Sequence, residues 1–169
     1  MTRVFHVLWM SVFVLSGLLV HAQDTKKTGV LDTAEVRKLA PTTYYFAGQS
    51  ASVQTRNTAG LRTSSGKIVL AGLVDTSGYA ADVAQKYQGF LITETKLNVE
   101  GSELVPGEYG FGFTKDGKFV VTDVAATDLL TASSKTDDEV AHPVPLKMVE
   151  DGGAYKLYNG RKWVTLKPE

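Results

Sequence analysis

Tyr109-Gly110-Phe111-Gly112-Phe113-Thr114-Lys115-Asp116-Gly117-Lys118-Phe119-Val120-Val121-Thr122-Asp123-Val124 is the stretch whose reading decides the fold class. Two runs rich in aromatic and β-branched residues flank an Asp-Gly pair, the pattern of an antiparallel hairpin. Side chains alternate along a strand. Tyr109, Phe111 and Phe113 therefore share one face, and Gly110 and Gly112 the other. Such a ribbon has two uses. Its rings line a cavity for an apolar molecule or a sugar ring, or they are core while the glycines admit a neighbouring layer.

The same grammar extends in both directions. Downstream, Leu146 to Val149 turns through Asp151-Gly152-Gly153 into Ala154 to Tyr158. Asn159-Gly160 then turns that run into Arg161 to Leu166, and Asn-Gly predicts a two-residue turn with positive φ at both central positions. Upstream, Ile68-Val69-Leu70-Ala71-Gly72-Leu73-Val74 is apolar on both faces and predicts a central strand covered on both sides. Gly72 within it marks a bulge or a close approach by another segment. Tyr44 to Phe46, Ala51 to Arg56, Phe90 to Thr95 and Lys96 to Val99 also read as strands. Asn57 to Gly66 reads as a loop, and Ala125 to Glu139 as a less regular, Ser/Thr-rich stretch.

Helical signals are few. Leu31 to Ala40 has Asp32 or Thr33 as cap, Glu35 in the first turn and Arg37 and Lys38 near the end, where the helix dipole favours them. Pro41 stops it. Ala80 to Gln88 allows one or two further turns, with Gly89 ending them. No long amphipathic helix is present to cover a parallel sheet. The fold class is therefore all-β: an antiparallel sandwich or barrel of about eight or more short strands with one or two short helices.

The first residues have the parts of a secretory signal. Arg3 precedes the apolar run Val7 to Val20, and Ala22 supplies a small residue before Gln23. That run is shorter than the ~20 residues a bilayer-spanning helix needs, so no span is expected after cleavage. Without a cysteine behind it, lipid attachment at a new N-terminus is chemically excluded. Removing residues 1–22 from the 169 leaves 147, read as a polar spacer over 23–30 and one domain over 31–169. The expected address is secreted, in the periplasm or outside the cell. The signal contributes only Arg3, so 17 basic residues face 18 acidic ones and the net charge is −1. That balance, with no basic cluster, argues against a nucleic-acid partner.

Catalytic vocabulary is thin. Without cysteine there is neither thiolate chemistry nor a cysteine-zinc site. Beyond the signal the only histidine is His142, held in His142-Pro143-Val144-Pro145 with no Gly-x-Ser-x-Gly elbow anywhere in the chain. Asp75, Glu94, Glu108 and Asp123 stand at or near strand ends, and a glycosidase would need two of them about 5–10 Å apart across a cleft. Asp137-Asp138-Glu139 lacks the alternation and the glycine of a calcium loop. No catalytic residue, metal ligand or cofactor is assigned. Candidate ligand-binding residues are Asp75 and Tyr79 after the central strand, Tyr87 before the next one, and Tyr109, Phe111 and Phe113 of the aromatic ribbon. Polar and aromatic groups on loops held by rigid strands are a common recognition arrangement.

Leu73 to Tyr79, Lys86-Tyr87-Gln88-Gly89-Phe90, Pro106 to Phe111 and Tyr158-Asn159-Gly160-Arg161-Lys162 together resemble a group of small secreted bacterial β-rich proteins with no assigned activity. The resemblance covers most of the chain after the signal. It implies a bacterial origin and an envelope or extracellular address, and it brings no ligand or catalytic residue. Three function classes follow, in order. The first is a non-catalytic module binding a small molecule, a glycan or an envelope protein. The second is a structural protein pairing through a sheet edge. The third is a carboxylate-dependent hydrolase of carbohydrate or cell-wall material.

Overall fold

The computed structural model describes residues 27–169; the signal and the first part of the spacer lie outside the described residues. Fourteen strands follow in chain order: β1 (Gly29–Val30), β2 (Thr43–Phe46), β3 (Gln49–Arg62), β4 (Ile68–Val74), β5 (Gly89–Thr93), β6 (Leu97–Val99) and β7 (Ser102–Leu104). Then come β8 (Gly107–Phe113), β9 (Lys118–Thr122), β10 (Asp128–Ser133), β11 (Lys135–Thr136), β12 (Lys147–Asp151), β13 (Ala154–Asn159) and β14 (Lys162–Pro168). The helices are α1 (Thr33–Leu39) and α2 (Ala81–Lys86). Every pairing is antiparallel. One sheet runs β1-β3-β4-β5-β8-β9-β10 with β2 added to β3, and the other runs β12-β13-β14-β6-β7 with β11 added to β14.

The two sheets pack face to face, which makes the fold a β-sandwich and not a barrel. Leu61, Val69, Ala71, Leu91, Phe111, Phe113, Phe119 and Val121 of the larger sheet meet Leu97, Val99, Leu157, Val164 and Leu166 of the smaller. A second apolar cluster lies on the opposite face of the larger sheet, where α1, β2, the start of β3 and the segment around α2 form an outer layer. It contains Val36, Tyr44, Phe46, Val53, Leu70, Val74, Tyr87 and Phe90. The larger sheet is thus covered on both faces. β4, flanked by β3 and β5, is the doubly buried central strand that its unbroken apolar run predicts. Gly72 serves a close approach, since a Cβ there would strike the Phe90 ring.

Helix α1 starts where its cap says it should: the Asp32 carboxylate accepts the Glu35 N–H at 2.8 Å, and Pro41 follows the C-cap Ala40. Three stretches depart from the sequence reading. Asn57 to Arg62, expected as loop, continues β3. The strand bulges between Val53 and Thr58, which absorbs its polar residues, and Leu61 and Arg62 then pair with β1 on one side and β4 on the other. The loop itself is only Thr63 to Lys67. The end of the expected spacer, Gly29 and Val30, is accordingly strand. Likewise Ala125 to Glu139 contains β10 and β11, because the rims of both sheets offer free backbone groups that even a Ser/Thr-rich segment can pair.

The β13–β14 turn also differs. Asn159 pairs with Lys162, so the central residues are Gly160 and Arg161, and only Gly160 has positive φ, at 63°. One positive φ at the first central position is the pattern of a type II′ turn, which needs glycine there. Asn159 is thus a strand residue, and Arg161 sits at the turn.

Candidate functional site

The aromatic ribbon β8 shows how the candidate site is placed. Tyr109, Phe111 and Phe113 all point between the sheets. Phe111 lies edge-on to Phe113, and both pack against Phe119 with centroids 5.7 and 4.8 Å away. The Tyr109 hydroxyl donates to the Val105 carbonyl at 2.8 Å. Burial raises the pKa of this phenol. On the other face, a Cβ on Gly110 would collide with the Phe46 ring, and one on Gly112 with the Lys86 carbonyl. The glycines let β2 and the end of α2 lie directly on the sheet.

That close approach carries the chain from α2 into β5 across the end of β8. The Gln88 N–H donates to the Phe111 carbonyl at 2.7 Å, and Gly89 pairs with Phe111. Beyond this point the backbone of β5 no longer accompanies β8. The Gln88 side chain continues the ladder in its place. Its amide nitrogen donates to the Phe113 carbonyl and its oxygen accepts the Phe113 N–H, both at 3.0 Å. The same oxygen accepts from the Asn159 amide of the other sheet at 3.1 Å. Gln88 therefore ties the two sheets together at one open end of the sandwich.

Two concavities meet at this amide, and Gln88 and Phe113 line both. The first, of about 650 Å³, is a groove bounded by Gln54, Thr76, Gln88, Asn159, Arg161 and Lys162, with Leu73, Phe113 and Pro143 among its apolar lining. Among the described residues no carboxylate lines it. The Arg161 guanidinium donates to the Asp138 carbonyl at 2.8 Å and the Lys162 ammonium to the Thr114 carbonyl at 2.6 Å. Among the described residues neither cation makes an ion pair. The second concavity, about 900 Å³, lies between α2 and the β8–β9 turn and mixes Asp82, Asp116 and Asp128 with Lys86, Lys115 and Lys118. An ion pair between Lys86 and Asp128 at 2.5 Å joins α2 to β10.

The sequence-predicted residues divide among three places. Phe113 reaches the groove, accompanied by Thr76 from the Asp75–Tyr79 loop. All three rings, Tyr109, Phe111 and Phe113, are buried between the sheets, and the expectation that they line one open pocket is corrected accordingly: the smaller sheet covers them. Tyr79 and Tyr87 belong to the outer layer, on the other side of the larger sheet. Tyr87 stacks on Phe46 at 3.7 Å, and the Tyr79 hydroxyl donates to the carbonyls of Phe46 and Gln49. Burial, followed by the neighbouring Tyr79 hydroxyl, pushes the Tyr87 phenol far above the ordinary range. Asp75 is exposed and accepts the Ser77 N–H at 3.0 Å, and that bond lowers its pKa.

The carboxylates considered for hydrolysis are occupied as caps or dispersed. Glu94 accepts the Ile68 N–H at the start of β4, whereas Asp75 follows its end, roughly 20 Å away along the strand. Asp123 accepts from Ala125 and Thr127 within a turn, and Glu108 stands on the outer rim beside Tyr45. In the acidic cluster, Asp137 accepts from the Tyr158 hydroxyl at 3.0 Å, which anchors that loop. His142 is exposed.

Sequence reasoning missed Gln54, Gln88, Asn159, Arg161 and Lys162. The adjacent cations Arg161-Lys162 at a hairpin turn were a usable local signal. The three amides were not, because each is separately an ordinary polar residue. Comparison of the chain with protein-family models, with curated proteins and with solved structures finds no match.

Proposed function

We propose that the chain is a non-catalytic, secreted β-sandwich module whose groove beside Gln88 binds a segment of acidic glycan. The observation that carries this reading is the groove's polar inventory: three amide side chains and two cations, with no carboxylate among the described residues. Amides donate to and accept from sugar hydroxyls, and Arg161 and Lys162 favour a carboxylate-bearing sugar over a neutral one. The secreted address rests on the Arg3 to Ala22 pattern.

Isothermal titration with a trimer of galacturonic acid and with neutral maltotriose tests the reading. The acidic trimer is expected to bind at least about tenfold more tightly, with affinity falling as salt rises and falling again in Arg161→Ala. Equal binding of both sugars, or binding of neither, would refute it. One observation favours a second reading. Leu129, 52% exposed, stands on β10 at the edge of the larger sheet. Edge-to-edge assembly through β10 would appear as a sedimentation coefficient that rises with concentration and ceases to rise in Leu129→Lys.

A further inference from the structure

The outer layer contains a strand with one unused edge. β2 pairs only with β3, and the two-residue turn between them, Ala47 and Gly48 with positive φ, closes on the Phe46–Gln49 pair. At the other end of the ladder the Val53 N–H donates to the Thr42 carbonyl. Antiparallel partners exchange bonds at every second residue, so Thr42, Tyr44 and Phe46 direct their backbone groups to β3. Thr43 and Tyr45 direct theirs to the open side, where no strand among the described residues pairs with them. A concavity of about 320 Å³ lies there, bounded by Pro41, Thr43 and Tyr45 on the β2 side and floored by Ile92, Glu108 and Val124. We propose that this edge binds an extended peptide by antiparallel strand addition, and that the peptide residue facing the floor is a lysine or arginine.

The geometry selects both features. Cross-strand neighbours point the same way, and Thr43 and Tyr45 point outward while Tyr44 and Phe46 point to the sheet. Peptide residues opposite Thr43 and Tyr45 therefore turn outward, and the residue between them, opposite Tyr44, turns to the floor. That floor is one row across three strands. Ile92 pairs with Glu108 and Gly110 with Thr122, and continuing the second register sets Val124 beside Glu108. A carboxylate thus stands between two aliphatic side chains. Glu108 is exposed and makes no ion pair among the described residues, and no lysine or arginine lines the concavity. A lysine stem can lie along Ile92 and Val124 and bring its ammonium to Glu108, whereas an acidic residue there would be repelled.

Every group the binding uses is reachable. Thr43, Glu108 and Val124 are exposed, and Tyr45, at 60%, is the most exposed of the large apolar residues. The edge is bounded at one end, where the Ala47 N–H donates to the Val124 carbonyl at 2.8 Å, and at the other by Pro41. That length pairs roughly three peptide residues. An extended chain matches the free donors and acceptors of Thr43 and Tyr45, which a small cation would leave unmatched.

The experiment titrates the nitrogen-labelled full chain with acetyl-Val-Thr-Lys-Thr-Val-amide and with the same peptide carrying glutamate in place of lysine. Saturable shifts are expected at the Thr43 and Tyr45 amides, and the lysine peptide should bind at least about fivefold more tightly. Glu108→Gln should remove that preference while the shifts at Thr43 and Tyr45 persist. N-methylation of the two threonines should abolish binding, and N-methylation of the lysine should not, since its N–H turns away from β2. Absence of saturable shifts, a preference that survives Glu108→Gln, or equal effects of the two methylations would each overturn the proposal. Shifts confined to β10 would overturn it as well, by placing strand addition at the other edge.

Discussion

The two faces of the larger sheet are built from the same strands and could hardly be finished more differently. Between the sheets, alternate residues of β4, β5, β8 and β9 meet a second regular sheet, and Phe111, Phe119, Leu91, Val69 and Val121 are wholly buried. On the outer face the intervening positions are covered by a hairpin, two short helices and a loop. Three buried side-chain polar atoms lack a partner among the described residues: Arg62 Nε, Tyr87 Oη and Thr122 Oγ1. All three lie on the outer side of the larger sheet, Tyr87 in the covering layer and Arg62 and Thr122 on strands beneath it. A sheet laid on a sheet matches side chain to side chain over its whole area, whereas short irregular elements leave gaps wherever their backbones diverge from the strands beneath. Sealing builds stability on one face, and imperfect covering leaves buried polar atoms unpaired on the other.

That contrast can be broken by substitution. The largest effect is expected between the sheets, where Phe111→Ala should cost about 3–5 kcal/mol because the rigid surroundings cannot collapse onto the cavity. Chemical denaturation measures it. Gly112→Ala tests the contact that brings the outer layer down. Its Cβ would meet the Lys86 carbonyl, and a backbone atom yields less readily than a side chain, so about 1–3 kcal/mol should be lost. Thr122→Val, in contrast, should be neutral or stabilising by up to about 1 kcal/mol, since it removes an unpartnered buried hydroxyl at nearly constant volume. A loss larger than 1 kcal/mol there would mean that the hydroxyl has a partner in solution.

The smallest effect sharpens the comparison from the rim of the smaller sheet. Burial works against the charged form of Glu100, yet its bonds from Lys135 at 2.8 Å and from the Thr165 N–H outweigh that and lower its pKa. The folded state therefore favours the carboxylate. This contribution is complete above the unfolded value of about 4.3 and is lost as pH falls through the lower folded value. Glu100→Gln should reduce stability at pH 7 by about 1 kcal/mol and have little effect at pH 2–3. Paired thermal melts at the two pH values check the sign.

How much of this was legible in the sequence follows the same division. The unbroken apolar run of β4 announced a strand covered on both faces, and the Tyr-Gly-Phe-Gly-Phe alternation sorted rings from glycines correctly. Both are local signals of period two, and regular packing obeys them. The Asp32 cap and the Pro41 stop fixed α1 in the same local way. What failed was tertiary. Asn57 to Arg62 looks like loop until β1 and β4 are present to pair with it. Asn159-Gly160 looks like a turn centre until the register of β13 with β14 places Asn159 in a strand. The groove was legible only at Phe113 and the loop holding Thr76, because Gln88 and Asn159 acquire their meaning from each other, 71 residues apart.

Native-state hydrogen exchange tests the central contrast most directly. The amides of Ala84 and Tyr87, bonded within and just after α2, should exchange through local opening at a free energy several kcal/mol below that of global unfolding. Those of Phe111 and Val121, in the paired core of β8 and β9, should exchange only when the whole chain unfolds. Equal protection of the two sets would contradict the picture of a sealed interior beneath a separately opening outer layer.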